Sequence, residues 1–345
     1  MQLKRVIFWS CKTVIATLFS FLLLSLFTVI YNNTGIHIAN PSGATDYFWK
    51  PNQLKTTMCE GFSELRMDEN GFNNVDSQDE NIDILLMGSS HMEAVQVSKY
   101  ENTGYLLNHA LKDKRVYNIG MSGHTIYHCA NNIEDAIKVY SPKGFAIIET
   151  ATVELDIQSM KMVLDSTYPH IDSYDKGLVY LVQKNIPAAK VLYKQIGRWR
   201  AAENNEPAAP KKEKIDASDH NYLEILEKFL SKAAAPVQQK GAKLFIFYQP
   251  DTKVDSFGNL LTPTDPMALA AFEAACEKNG IIFVDMTDSF QELYDTEYTL
   301  AHGFPNTAVG EGHLNAAGHR AIAEKLIAVI QKEYERQEGN PDVSE

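Results

Sequence analysis

Five short apolar runs, each ending in glycine or polar residues, punctuate the chain between residues 82 and 286. They read "IDILLMGSS" (82–90), "RVYNIGMSG" (115–123), "GFAIIET" (144–150), "AKLFIFYQP" (242–250) and "IIFVDM" (281–286). Short continuous apolar runs bounded by turn residues predict strands buried on both faces. Stretches with helical spacing lie between them. "VSKYENTGYLLNHALKD" places Tyr100, Tyr105, Leu106 and Leu111 at helical intervals, and "TIYHCANNIEDAIKVY" (125–140) and residues 266–279 follow the same pattern. "NAAGHRAIAEKLIAVIQKEYER" predicts a closing amphipathic helix with Ile322, Leu326, Ile327 and Ile330 on its apolar face. Strands alternating with helices predict a parallel sheet covered on both faces. The segment from about 155 to 240 reads as a helical insertion, with a charged Ala/Pro linker, "AENNEPAAPKKEK", at 202–214.

The longest apolar run is N-terminal. Residues 13–30, "TVIATLFSFLLLSLFTVI", carry no charge, and Val6 to Trp9 extend the run upstream. That length suits a bilayer core of about 30 Å. Lys4, Arg5 and Lys12 precede the run and no basic residue follows until Lys50. The positive-inside rule then predicts a cytoplasmic N-terminus and an extracytoplasmic body. "TVIYNN" offers no small-residue cleavage signal, which favours an uncleaved anchor at 1–31 over a removed signal peptide. Residues 32–80, polar with Pro41 and Pro51, read as a stalk. The main domain is predicted over 81–335, with a frayed tail at 336–345.

Charge narrows the partners. The formal net charge is −12, and setting aside Lys4, Arg5 and Lys12 leaves −15 on the remainder. An acidic body argues against nucleic acid, whose phosphates need a basic face. The four cysteines, Cys11, Cys59, Cys129 and Cys276, are widely spaced and form neither a metal motif nor a disulfide framework.

In parallel α/β sheets, functional groups gather beyond the C-terminal ends of the strands. Here those ends bear Ser90 after the first run, Gly123 after the second, and Thr150 to Glu154 after the third. Before the last helix comes "EGHLNAAGH", with Glu311, His313 and Asn315. A hydroxyl, a glycine-turn N–H and an acid–imidazole pair are the parts of acyl transfer. Serine needs a base to become a nucleophile, and the imidazole needs a carboxylate to fix its tautomer. The developing oxyanion needs aimed N–H groups. Ser89 and Ser90 also suit a simple helix cap.

The order of "GSS", "NIGMSGHT" and "EGHLNAAGH" resembles the SGNH, or GDSL-like, hydrolase and acyltransferase superfamily, over roughly residues 82–330 outside the insertion. The resemblance implies a flavodoxin-like three-layer α/β/α sandwich of about five parallel strands, here behind one transmembrane helix. It implies Ser90 as nucleophile, His313 as base, and the N–H groups of Ser90 and Gly123 as oxyanion donors. Two positions depart from the pattern. "ETATVE" puts Val153 where the family's oxyanion asparagine falls, leaving Thr152 or Thr150 to substitute. Gly310 stands three residues before His313, where the family's acid falls, which makes Glu311 the nearest candidate, with Asp285 and Asp288 behind it. The anchor and the Gly-Ser-Ser start are similar to membrane-anchored proteins that serve exopolysaccharide O-acetylation or teichoic acid D-alanylation.

The expectation is therefore a serine O-acyl esterase or O-acyltransferase acting on an acylated cell-envelope or exported glycan. It would need no cofactor and could work beside a multi-spanning membrane acyltransferase. The rival is a non-catalytic glycan-binding or docking subunit. His91, Asn118, Thr150, His302 and Asn315 are candidate substrate contacts. Adjacent helical residues do not face each other, so His91 is set aside as the base for Ser90. His124 and His128 are spaced i, i+4, but only Cys129 accompanies them, so no metal is expected. His319 reads as a contact at the helix start. Neither a G-x-S-x-G elbow nor a phosphate loop is present.

Overall fold

The computed structural model describes residues 2–31, 35–58, 60–75, 81–171 and 216–338. Helix α1 (Gln2–Tyr31) belongs to a separate unit from the folded body. Its span Lys4–Phe27 is long and apolar enough to cross a membrane, about 36 Å at helical rise, and Phe8, Trp9, Leu18, Phe19 and Phe27 are exposed on it.

The body begins at Gly35 with two antiparallel hairpins, β1 (His37–Ala39) with β2 (Tyr47–Trp49), and β3 (Leu54–Thr57) with β4 (Ser63–Arg66). The first long strand, β5 (Ile84–Met87), leads into the single-turn α2 (Ser90–Glu93). Helix α3 (Thr103–Ala110), β6 (Val116–Asn118), α4 (Ile126–Tyr140), β7 (Phe145–Thr150) and α5 (Ile157–Leu164) follow. After the undescribed stretch come α6 (His220–Gln239), β8 (Lys243–Tyr248) and the small hairpin of β9 (Lys253–Val254) with β10 (Leu260–Leu261). Next are α7 (Pro266–Lys278), β11 (Ile282–Asp285) and α8 (Thr287–Glu297). The chain closes with β12 (His302–Gly303), β13 (Val309–Leu314) and α9 (Ala316–Glu338).

Five strands form one parallel sheet in the order β11-β8-β7-β5-β6. Counted along the chain this is the 2-1-3-4-5 order of doubly wound sheets, with its switch point between β5 and β7. Alternate residues of β5 face opposite layers. Leu85 and Met87 join the core under α4, α6 and α7, while Ile84 and Leu86 join the one under α3, α8 and α9. The fold is thus the expected three-layer α/β/α sandwich, with all five apolar runs as its strands.

Two expected boundaries change. Residues 35–75 are not a stalk, because Tyr47, Trp49, Leu65, Met67 and Phe72 are buried in the same core as Tyr117 and Ile119. The pairing of polar side chains with short alternating strands hid this in the sequence. Residues 220–239 are not part of an insertion. They form the crossover helix α6, which packs on α4 and α7 and buries Tyr222, Leu226, Phe229, Leu230 and Val237. The linker expected at 202–214 lies outside the described residues; of the frayed tail expected at 336–345, residues 336–338 continue α9 and the rest lie outside the described residues.

Candidate active site

The tight turn after β5 divides two roles between neighbouring serines. Ser89 is the N-cap of α2, its hydroxyl accepting from the His91 N–H at 3.2 Å. Ser90 opens the helical turn with its hydroxyl left for other work. Gly88 permits this turn: a Cβ there would lie 2.8 Å from Glu149 Oε2 and 2.6 Å from Met92 Cγ. Glu149, at the end of β7, accepts the Ser89 N–H at 2.8 Å and so ties the loop to the neighbouring strand.

The Ser90 hydroxyl sits 2.9 Å from His313 Nε2. On the far side of the ring, His313 Nδ1 lies 2.8 Å from Glu60 Oε2, and the His313 backbone N–H donates to Glu60 Oε1 at 2.7 Å. A carboxylate only accepts, so Nδ1 carries the proton and Nε2 presents its lone pair to Ser90. The carboxylate on the imidazole is therefore Glu60, not Glu311, which is exposed. Both oxygens of Glu60 are committed to His313, leaving no role for a second acid. Asp285 instead accepts from the N–H and hydroxyl of Thr287 at the start of α8, whose first turn holds Asp288.

Two local features let Glu60 approach. Gly312 has φ +90°, and a Cβ there would fall 2.3 Å from Glu60 Oε1. The β3–β4 turn that carries Glu60 is pinned by Asn306, which donates to the Met58 and Gly61 carbonyls at 2.9 Å each and accepts the Gly61 N–H at 3.0 Å.

The oxyanion candidates divide. Gly123 lies in the β6–α4 turn with φ +83°, at the same end of the sheet as Ser90, since β5 and β6 are parallel neighbours. Thr150 and Thr152 are engaged within their own loop. The Thr150 hydroxyl donates to the Thr152 carbonyl at 2.7 Å, and the Thr152 hydroxyl accepts the Glu154 N–H at 3.1 Å. Val153 is buried. Thr152 is thus no evident replacement for the missing asparagine.

Each expected substrate contact has a hydrogen-bond partner within the protein. Asn118 is buried, donating to the Met92 carbonyl at 2.7 Å and accepting the Gly120 N–H at 2.9 Å. Asn315 donates to the Leu300 carbonyl at 2.7 Å and accepts the Gly318 N–H at 3.0 Å, fastening the start of α9. Thr150 is buried as well. His91 accepts the Leu314 N–H on Nδ1 at 3.2 Å and packs 5.4 Å from the His313 ring. His302 is buried, with Nε2 2.8 Å from Gln249 Oε1. His319 is buried against Thr103, its Nδ1 2.9 Å from that hydroxyl.

Burial dominates the electrostatics around Ser90 and His313. It pushes His91 down to about 3, reinforced by His313 and opposed by Glu60. It likewise pushes His302 down to about 4 and His319 down to about 3. All three rings are thus held below the usual imidazole range, and that of His91 packs against His313. Burial raises the Glu149 carboxyl, against the hydrogen bonds from Ser89 and Gln249. Among the described residues, no group of three or more His, Cys, Asp or Glu side chains is placed to hold a metal ion.

No protein-family profile matches the chain, and no curated protein matches it in sequence. Solved structures do resemble it. The psychrotrophic esterase EstA from Pseudoalteromonas sp. has a TM-score of 0.38 at 13% identity, covering 74% of this chain and 100% of its own. The acetyl xylan esterase AlAXEase gives 0.40 at 15%, covering 71% and 98%. A GDSL-like lipase from Bacteroides thetaiotaomicron gives 0.36 at 12%, covering 76% and 94%.

Proposed function

We propose that this chain is a serine-dependent O-acyl esterase or O-acyltransferase of the SGNH type. One observation carries the reading: the continuous hydrogen-bonded series Ser90 Oγ, His313 Nε2, His313 Nδ1, Glu60. Ser90 Oγ attacks the acyl carbonyl while His313 Nε2 takes its proton. Glu60 holds the ring and offsets the imidazolium that forms. The tetrahedral oxyanion is received by the N–H groups of Ser90 and Gly123. Collapse expels the alcohol, which takes the proton from His313, and leaves an acyl-serine. Water, or a sugar hydroxyl, then attacks that ester with His313 again as base, releasing the acid or the transferred ester. Each step uses side chains and backbone of this chain alone.

We place the body outside the cell, held by α1, with an acylated cell-envelope or exported glycan as substrate. The support is the apolar N-terminal helix, the basic residues before it, and the motif resemblance. A second reading, a non-catalytic glycan-binding or docking subunit of a membrane acyltransferase system, is favoured by the buried Val153 and the inward-turned Thr150 and Thr152. In those features neither Val153 nor the two threonines supplies the oxyanion with a side-chain donor. A fluorophosphonate probe on the full chain in detergent separates the two. The enzyme reading expects labelling of wild type that Ser90→Ala abolishes, together with acetate release from p-nitrophenyl acetate. An unlabelled, inert wild type selects the docking role.

A further inference from the structure

The backbone at His313 is fastened on both sides. Successive N–H groups along an extended strand point in opposite directions. The His313 N–H goes to Glu60 Oε1 at 2.7 Å, and the next one, from Leu314, goes to His91 Nδ1 at 3.2 Å. His91 adjoins Ser90 in the sequence. The same two-residue unit therefore carries the hydroxyl that His313 must reach and the acceptor that holds the strand of His313.

His91 is itself held. Its ring meets His302 edge to face, centroids 5.6 Å apart and planes at 89°. His302 Nε2 donates to Gln249 Oε1 at 2.8 Å, and Gln249 Nε2 donates to Glu149 Oε1 at 3.0 Å. Glu149 Oε2 accepts the Ser89 N–H at 2.8 Å, one residue before Ser90. The path from Ser89 through Glu149, Gln249 and His302 thus returns to His91, and every direct bond in it is satisfied. With Nδ1 accepting, the proton of neutral His91 sits on Nε2.

We propose that His91 is a positioning residue: its Nδ1 fixes the strand of His313 against the turn of Ser90, setting the approach of Nε2 to Oγ. It touches no reacting atom. The inference rests on the esterase or acyltransferase reading. A shift of the ring by about 1 Å would slow attack on the order of 100-fold.

The test compares two amides in the full-length protein. In His91→Asn, the side-chain oxygen falls near the place of Nδ1 and can still accept the Leu314 N–H. In His91→Gln, the amide reaches the place of Nε2 instead. For p-nitrophenyl acetate hydrolysis, His91→Gln is expected to lose roughly 10- to 100-fold in kcat, with KM within about twofold. His91→Asn is expected to recover most of that loss, and fluorophosphonate labelling rates should follow the same order. Equal activity in the two variants overturns the inference, whether both match wild type or both fail. So does loss of cooperative unfolding in His91→Gln, which would assign the ring to packing. A wild type that neither hydrolyses nor labels overturns the esterase reading and this inference with it. An active wild type with indifferent variants overturns the inference alone.

Discussion

Replacing Glu60 with Gln gives the sharpest test of the site, because the sequence pointed to a different acid. The side chain keeps its shape, yet its amide cannot both accept from Nδ1 and offset an imidazolium. At 2.8 Å and an effective dielectric near 20, the attraction between carboxylate and imidazolium is about 6 kcal/mol. Glu60 and His313 side chains are 26% and 27% exposed, so water screens part of it. Halving for that exposure leaves about 3 kcal/mol, or roughly 100-fold in rate. The assay is kcat for p-nitrophenyl acetate, with Glu311→Gln alongside. Glu60→Gln should fall by about that factor, and Glu311→Gln should stay within twofold of wild type. If Glu60→Gln keeps more than half the activity, or if Glu311→Gln falls with it, the assignment of the acid is wrong.

Gly312→Ala forces a Cβ at φ +90° against Glu60 Oε1; it should cost about 1–3 kcal/mol in denaturant unfolding and reduce kcat as Glu60→Gln does. Asn306→Ala removes three hydrogen bonds from the β3–β4 turn; roughly 2 kcal/mol of stability should go, and kcat should drop although Asn306 contacts neither Ser90 nor His313. Acid should destabilise the fold between pH 6.5 and about 4. His91, His124, His302 and His319 have folded-state values below the unfolded one, so unfolding takes up protons there and stability is lost as pH falls. Each contributes about 1.4 kcal/mol per pH unit in that window, partly offset by the raised Glu149. Urea unfolding at pH 7, 6 and 5 measures the slope, which His319→Gln should flatten by about a quarter. A slope near zero refutes the neutral state of these rings.

The sheet was legible because its strands are buried on both faces and so read as unbroken apolar runs. Ser90 and His313 were legible because each stands at a strand or helix boundary, where pattern changes abruptly. Glu60 was not. Its hairpins pack through isolated aromatics, Tyr47, Trp49 and Phe72, set among polar residues, and that spacing looks like a linker. Nothing near "CEGFSELR" marks a carboxylate as functional until the hairpin is folded onto the body. The substrate-contact candidates illustrate the opposite ambiguity. Asn118, Asn315 and His302 are polar residues at strand and helix ends, as substrate contacts would be, but both polar atoms of each asparagine and Nε2 of His302 are taken by neighbouring backbone or side chains. Sequence cannot distinguish a satisfied amide from a waiting one.

Glu60 and His313 are 253 residues apart. Closing a loop of that length costs about 4 kcal/mol more than bridging a three-residue gap, by the usual logarithmic scaling. The Glu60 carboxylate is thus held in place by the packing of Tyr47, Trp49 and Leu65 rather than by local chain stiffness. The hydrogen-bonded series of Ser90, His313 and Glu60 is then completed late in synthesis. A chain synthesised from its N-terminus presents Glu60 first and Ser90 next, but the series stays open until β13 brings His313 and docks. A fragment cut at residue 81 would keep the five-stranded sheet and both partners of the hydroxyl–imidazole pair. It would lack the acid and leave part of one core layer uncovered.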